Sequence, residues 1–181
     1  MKNLLSFIVV FFFFSSLNAQ QIARPADDIL GDAFQQAAAQ HKNVLVIFHA
    51  SWCGWCHKMD ASINDSTCKN LFDKNYIIVH LTVEESDDNK PLENPGAADV
   101  LVKCKAENAG LPYWLILSSQ GQFLADSKIR AAGAPMESGD NMGCPSTETQ
   151  VAAFIKILKQ SSTLTDDELA AIAKRFRENA N

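Results

Sequence analysis

The sequence predicts an α/β fold, a mixed β-sheet flanked by helices, with extra helices at its N- and C-terminal ends. Three observations carry this expectation. Val44-Leu45-Val46-Ile47-Phe48 is an unbroken apolar run rich in β-branched residues, the pattern of a central strand buried on both faces. A second Ile/Val-rich run, Tyr76 to Val83, follows after a stretch of helical spacing, so the two strands join by a parallel crossover. Tyr113 to Leu117, a turn at Ser119-Gln120-Gly121, and Phe123-Leu124-Ala125 then form an antiparallel hairpin.

Taken in order, the chain opens with Lys2 as a positive n-region, an apolar stretch from Leu4 to Phe14, and small residues from Ser15 to Ala19. This reads as a signal peptide over residues 1–19, cut before Gln20. Its apolar run is shorter than the roughly 20 residues of a membrane span, so no stable membrane insertion is expected after its removal. The expected location is outside the cytoplasm, periplasmic or extracellular, with residues 20–181 forming one domain. Ile29, Ala33, Phe34, Ala37 and Ala38 recur at helical spacing, giving a first helix to about His41. Beyond the first strand, Cys56, Met59 and Ile63 continue a helical stripe. Asp65 or Ser66 caps a further piece through Cys68, Leu71 and Phe72, which turns Cys68 toward the core. Glu84 to Gly96 is acidic and contains two prolines, a surface loop, and helical spacing resumes from Ala97 to Lys105. Ala131 to Pro145 is an irregular connection with three glycines and two prolines. Ser146 or Thr147 caps the helix through Val151, Phe154, Ile155 and Leu158. Thr165-Asp166-Asp167-Glu168 is a capping-box pattern that starts the last helix, through Leu169, Ile172 and Phe176.

A formal charge of −5 without a Lys/Arg cluster offers no footprint for nucleic acid or an anionic membrane. All five cysteines lie beyond the signal segment. An oxidising compartment lets disulfides persist, and an odd number leaves at least one thiol free or paired outside the chain.

Chemistry concentrates in Ser51-Trp52-Cys53-Gly54-Trp55-Cys56-His57-Lys58, at the carboxyl end of the first strand and the start of a helix. Open sheet edges of this kind are where α/β sites form. Free N–H groups and the helix dipole at that point stabilise a thiolate on Cys53, and Cys56 lies one turn on, close enough to close a disulfide. The buried strand, the Trp52-Cys53-Gly54-Trp55-Cys56 turn, the second strand and Gly110-Leu111-Pro112 before a hairpin together resemble the thioredoxin superfamily, over about residues 30 to 160. More narrowly the chain looks like exported bacterial thioredoxin-like proteins. The resemblance implies that Pro112 is cis and lies against the cysteine pair. It also implies that Trp52, Gly54, Trp55, Leu111 and Pro112 form the surface receiving a substrate segment. Two departures stand out: Ile47 occupies the position where thioredoxins usually carry a buried acid, and Trp55 replaces the proline between the cysteines.

The expected activity is thiol-disulfide exchange, with Cys53 as attacking and Cys56 as resolving sulfur, on protein or small thiol/disulfide substrates, with an unidentified redox partner and no cofactor or metal. Whether it reduces, oxidises or isomerises is not encoded in the motif. Three other uses of the pair compete. It can be a permanent structural disulfide in a non-catalytic binding module. Cys53-x-x-Cys56-His57 also matches the attachment signal of c-type haem, although the buried strand and the Gly-Leu-Pro have no role there. A zinc site from Cys53, Cys56, His57 and either His49 or Cys144 lacks a second pair of suitably spaced ligands. His57 is expected on the exposed first turn, and His49, at the strand end, near enough to influence Cys56. Cys104 and Cys144 are expected at the same end of the sheet, where they can form a structural disulfide.

Overall fold

The computed structural model describes residues 23–180, so the expected signal peptide lies outside the described residues. Helix α1 (Ala26–Gln40) buries Ala26, Ala33 and Ala37, and ends where His41 turns into the left-handed region at φ 53°. Two residues later β1 (Asn43–His49) begins, buried at five consecutive positions. Helices α2 (Gly54–Ile63) and α3 (Lys69–Asn75) form the crossover to β2 (Tyr76–Thr82), which pairs in parallel with β1. The N-cap of α3 is Cys68, which makes no side-chain cap bond; the expected cap Asp65 lies in the preceding turn, where its side chain accepts the Thr67 N–H at 2.8 Å and its carbonyl accepts those of Cys68 and Lys69.

After β2 the acidic loop contains a 3₁₀ turn, Asp87–Leu92, and leads to α4 (Ala97–Lys103). This helix stops two residues short of the expected Lys105, because Lys105 adopts a left-handed φ of 54°. Then come β3 (Tyr113–Leu117), antiparallel to β1, and β4 (Phe123–Asp126), antiparallel to β3, so the sheet order is β2-β1-β3-β4. The connection expected to be irregular carries a small ladder, β5 (Lys128–Ile129) against β6 (Asp140–Asn141). Helices α5 (Glu148–Ser161) and α6 (Asp166–Arg177), the latter followed by a 3₁₀ turn at Glu178–Ala180, complete the described chain, and both helices start with full capping boxes, at Thr147 and Thr165.

Strand alternation divides the core. Val44, Val46, Phe48, Tyr113 and Leu115 face α1 and α4, while Leu45, Ile47, Trp114 and Ile116 face α2, α3, α5 and α6. The second face is aromatic: Phe154 stands 4.9 Å from Phe176 and 5.3 Å from Trp114, ring centre to ring centre. Fully burying a side chain of this size contributes on the order of 1.5–3 kcal/mol, so the two C-terminal helices help hold α2 against the sheet. That makes the start of α2 a fixed platform at the carboxyl end of β1.

Candidate active site

Cys53 is the N-cap of α2, with extended backbone, and its sulfur accepts the Cys56 N–H at 3.1 Å. Its carbonyl accepts the N–H groups of Cys56 and His57 at 3.1 and 3.2 Å. The sulfur thus sits at the positive end of the α2 dipole, which favours negative charge. Cys53 and Cys56 are joined as a disulfide, with Cα atoms 5.3 Å apart. Both are buried, at 3% and 1% exposure, against Ala50 and Leu111. What reaches solvent is the pair of indoles on either side, Trp52 at 59% and Trp55 at 47%.

The Leu111-Pro112 bond is cis, and Pro112 is buried at the head of β3. Trp55, Leu111, Pro112, Met142 and Cys144 border a cavity of about 240 Å³ beside the pair. Gly54 is exposed, and a Cβ there would meet nothing within 4 Å, so the position does not require glycine for space. His57 is on the exposed first turn, with Nε2 3.0 Å from the Ser51 carbonyl. A porphyrin bound through thioethers needs both sulfurs on an open surface, and here both point inward.

Two supports of the site escape sequence reasoning. Glu85 is buried, and its carboxylate accepts both the Ser51 N–H, at 2.6 Å, and the Ser51 hydroxyl, at 2.7 Å. The neighbouring Glu84 carbonyl accepts the Trp52 indole N–H at 2.8 Å. The loop after β2 therefore clamps the turn that carries Cys53; the signal available in the sequence was an acidic pair directly after a strand ending at the same sheet edge. On the other side, the Asn141 amide lies 3.0 Å from each of the carbonyls of Ala109, Gly110 and Pro112. It ties β6 to the proline loop, and nothing in its local sequence marks it.

The expected Cys104–Cys144 disulfide is corrected by the structure: both are free thiols. Cys104 packs with α1 and α4 on one face of the sheet, and Cys144 lies in the aromatic core on the other, so the sheet separates them. The connection swings across the end of β3 to join α5 instead of staying beside α4. Cys68 is fully buried, as its helical spacing predicts. Burial pushes the Cys68 thiol up to about 11 and the Cys144 thiol up to about 12, and raises that of Cys104. Burial, and then the neighbouring His80, hold the His49 imidazole below its ordinary 6.5.

Residues 27–117 match a family model described as thioredoxin-like, and the chain belongs to that family. Among solved structures, it is similar to a disulphide isomerase from Xylella fastidiosa Temecula1, at 16% identity over 84% of this chain and 88% of that one, with a TM-score of 0.46. A structure described as DsbH oxidoreductase is similar at 16% identity, covering 83% and 95% of the two chains, with a TM-score of 0.45. Likenesses this distant carry no argument about activity. No curated protein matches the chain.

Proposed function

We propose that the protein is a thiol-disulfide oxidoreductase that acts outside the cytoplasm on protein or small-molecule disulfides. The observation that carries this reading is Cys53 as the N-cap of α2, its sulfur accepting the Cys56 N–H and its side chain packed with Cys56 against Leu111, the residue before cis Pro112. The expected signal peptide and the cysteine usage support an oxidising location. The described residues include no helix long and apolar enough to cross a membrane.

In the reducing direction, the Cys53 thiolate attacks one sulfur of a substrate disulfide. A new S–S bond forms, and the other substrate sulfur leaves as a thiolate. Cys56 then attacks Cys53, and the second substrate sulfur leaves; two electrons have moved from the pair to the substrate. An external dithiol or disulfide partner resets the pair, and the same steps reversed oxidise a substrate. Trp52, Trp55, Leu111 and Pro112 supply the apolar and backbone surface for an extended segment, with Gly54 leaving the approach open.

One observation favours the rival reading of a permanent structural disulfide, namely the near-complete burial of both sulfurs. The two readings part on mutation. For an oxidoreductase, Cys53→Ser loses all reaction with an insulin disulfide, while Cys56→Ser accumulates a protein–insulin mixed disulfide visible on a non-reducing gel. A wild-type protein that is inert toward insulin after mild reduction supports the structural reading instead.

A further inference from the structure

The exchange reaction leaves one proton to be placed. When Cys56 attacks Cys53 it must first give up its S–H proton, yet Cys56 is only 1% exposed and bulk water does not reach it. Cys56 and Asp60 are four residues apart on α2, so Asp60 lies one turn further along the same helix face. Asp60 Oδ1 is 2.8 Å from His80 Nε2. His80 is on β2 opposite Ile47, on the sheet face that packs against α2. The His49 ring, from the last residue of β1, meets the His80 ring edge-on at 5.0 Å, and His49 Nε2 lies 3.2 Å from the Thr82 hydroxyl.

All three residues of this cluster are half-buried. The Asp60 and His80 side chains are 32% and 35% exposed, so a proton held there can leave to solvent. The Asp60 carboxylate and the His80 imidazole share a hydrogen bond, a geometry in which a proton can be handed from one group to the other. The other titratable groups near His49 are His57 on α2 and Glu85 in the loop after β2. Burial and His80 keep His49 neutral at neutral pH, so the two rings do not compete as cations.

We propose that the Asp60–His80 pair, backed by His49, accepts the proton of the buried Cys56 thiol and passes it to solvent. The inference rests on the redox reading of the Cys53–Cys56 pair. In the step, the Cys56 S–H bond breaks and its electron pair forms the bond to Cys53. The bond from Cys53 to the substrate sulfur breaks with its electrons on the leaving sulfur, and the proton moves to the pair. The substrate disulfide is the only oxidant required.

The test follows reduced protein mixed with 5,5′-dithiobis(2-nitrobenzoate), which releases one coloured thiolate when Cys53 attacks and a second when Cys56 closes the disulfide. In wild type the second release is expected to rise with pH and then level off. In H80Q and D60N it should slow about tenfold or more at neutral pH and keep rising with pH, as expected when a general base is lost. The first release should stay within about twofold, and D60E should recover part of the lost rate. Second-phase rates and pH profiles unchanged in both variants would overturn the proposal. A solvent deuterium effect on the wild-type second phase is expected, and its absence would overturn the proposal without recourse to any variant. If wild type shows no first release at all, the redox reading of the pair fails instead.

Discussion

Five cysteines of identical chemistry have different fates in this chain, and each fate follows from neighbours. Cys53 has a helix N–H group at its sulfur, whereas burial raises the thiol pKa of Cys68, Cys104 and Cys144. A raised thiol is protonated at neutral pH and ionises only as pH climbs, toward about 11 for Cys68 and about 12 for Cys144. Brief iodoacetamide treatment of the reduced, folded protein at pH 7 should therefore label Cys53 and leave these three unlabelled until denaturant is added, as peptide mass spectrometry will read. Early labelling of Cys144 would contradict the packing described. The Cys53–Cys56 pair was legible in the sequence because its partners are three residues apart. Glu85 with Ser51 and His80 with Asp60 are separated by 34 and 20 residues, and only the fold brings them together. The expected Cys104–Cys144 bridge failed for the same reason, since sequence spacing does not say which face of a sheet a loop will reach.

At the level of elements, strands and caps were legible where local chemistry is strong. The doubly apolar run became the central β1, and Thr165-x-x-Glu168 became a capping box with both hydrogen bonds made. The two-residue strands β5 and β6 have no periodicity to read, and their purpose shows only in contacts. Asn141 on β6 holds the carbonyls on both sides of Leu111, so the proline loop depends on a segment about 30 residues further on. Asn141→Ala removes the amide from these three carbonyls and is expected to cost about 1–3 kcal/mol in urea unfolding. It should also raise KM for a protein disulfide more than it lowers kcat, because it loosens the receiving surface and leaves the sulfurs in place. An unchanged KM with intact stability would separate this segment from substrate binding.

For the whole molecule, the sheet buries one core against α1 and α4 and a second core, built round Phe72, Trp114, Phe154 and Phe176, on its other face, and the redox pair stands at the carboxyl edge between them. Stability of this assembly has a defined pH dependence. The folded His49 pKa lies below the 6.5 of the unfolded chain, so above that value the residue contributes no pH dependence. As pH falls through about 6.5 the unfolded chain takes up a proton that the folded chain does not, and stability declines. Asp65 and Glu168, held low first by the backbone N–H groups of Thr67 and Thr165, act in the same direction further down, losing their stabilisation as pH falls through the carboxylate range. The urea midpoint should begin to drop just below pH 6.5, and His49→Gln should remove that upper part of the decline. A wild-type midpoint that is flat from about pH 7.5 to 5.5 would contradict the lowered pKa of the half-buried His49.

The central claim is that Cys53 and Cys56 form a reversible redox pair at a helix start. Its most direct measurement is the equilibrium of the protein with reduced and oxidised glutathione over a wide range of ratios, trapped with acid and read by mass spectrometry of alkylated peptides. The expected result is a single two-electron transition of Cys53 and Cys56 together, identical when approached from the oxidised and the reduced protein, with the fold intact throughout. A pair that stays fully oxidised at every ratio, and opens only when the protein is denatured, would contradict the claim.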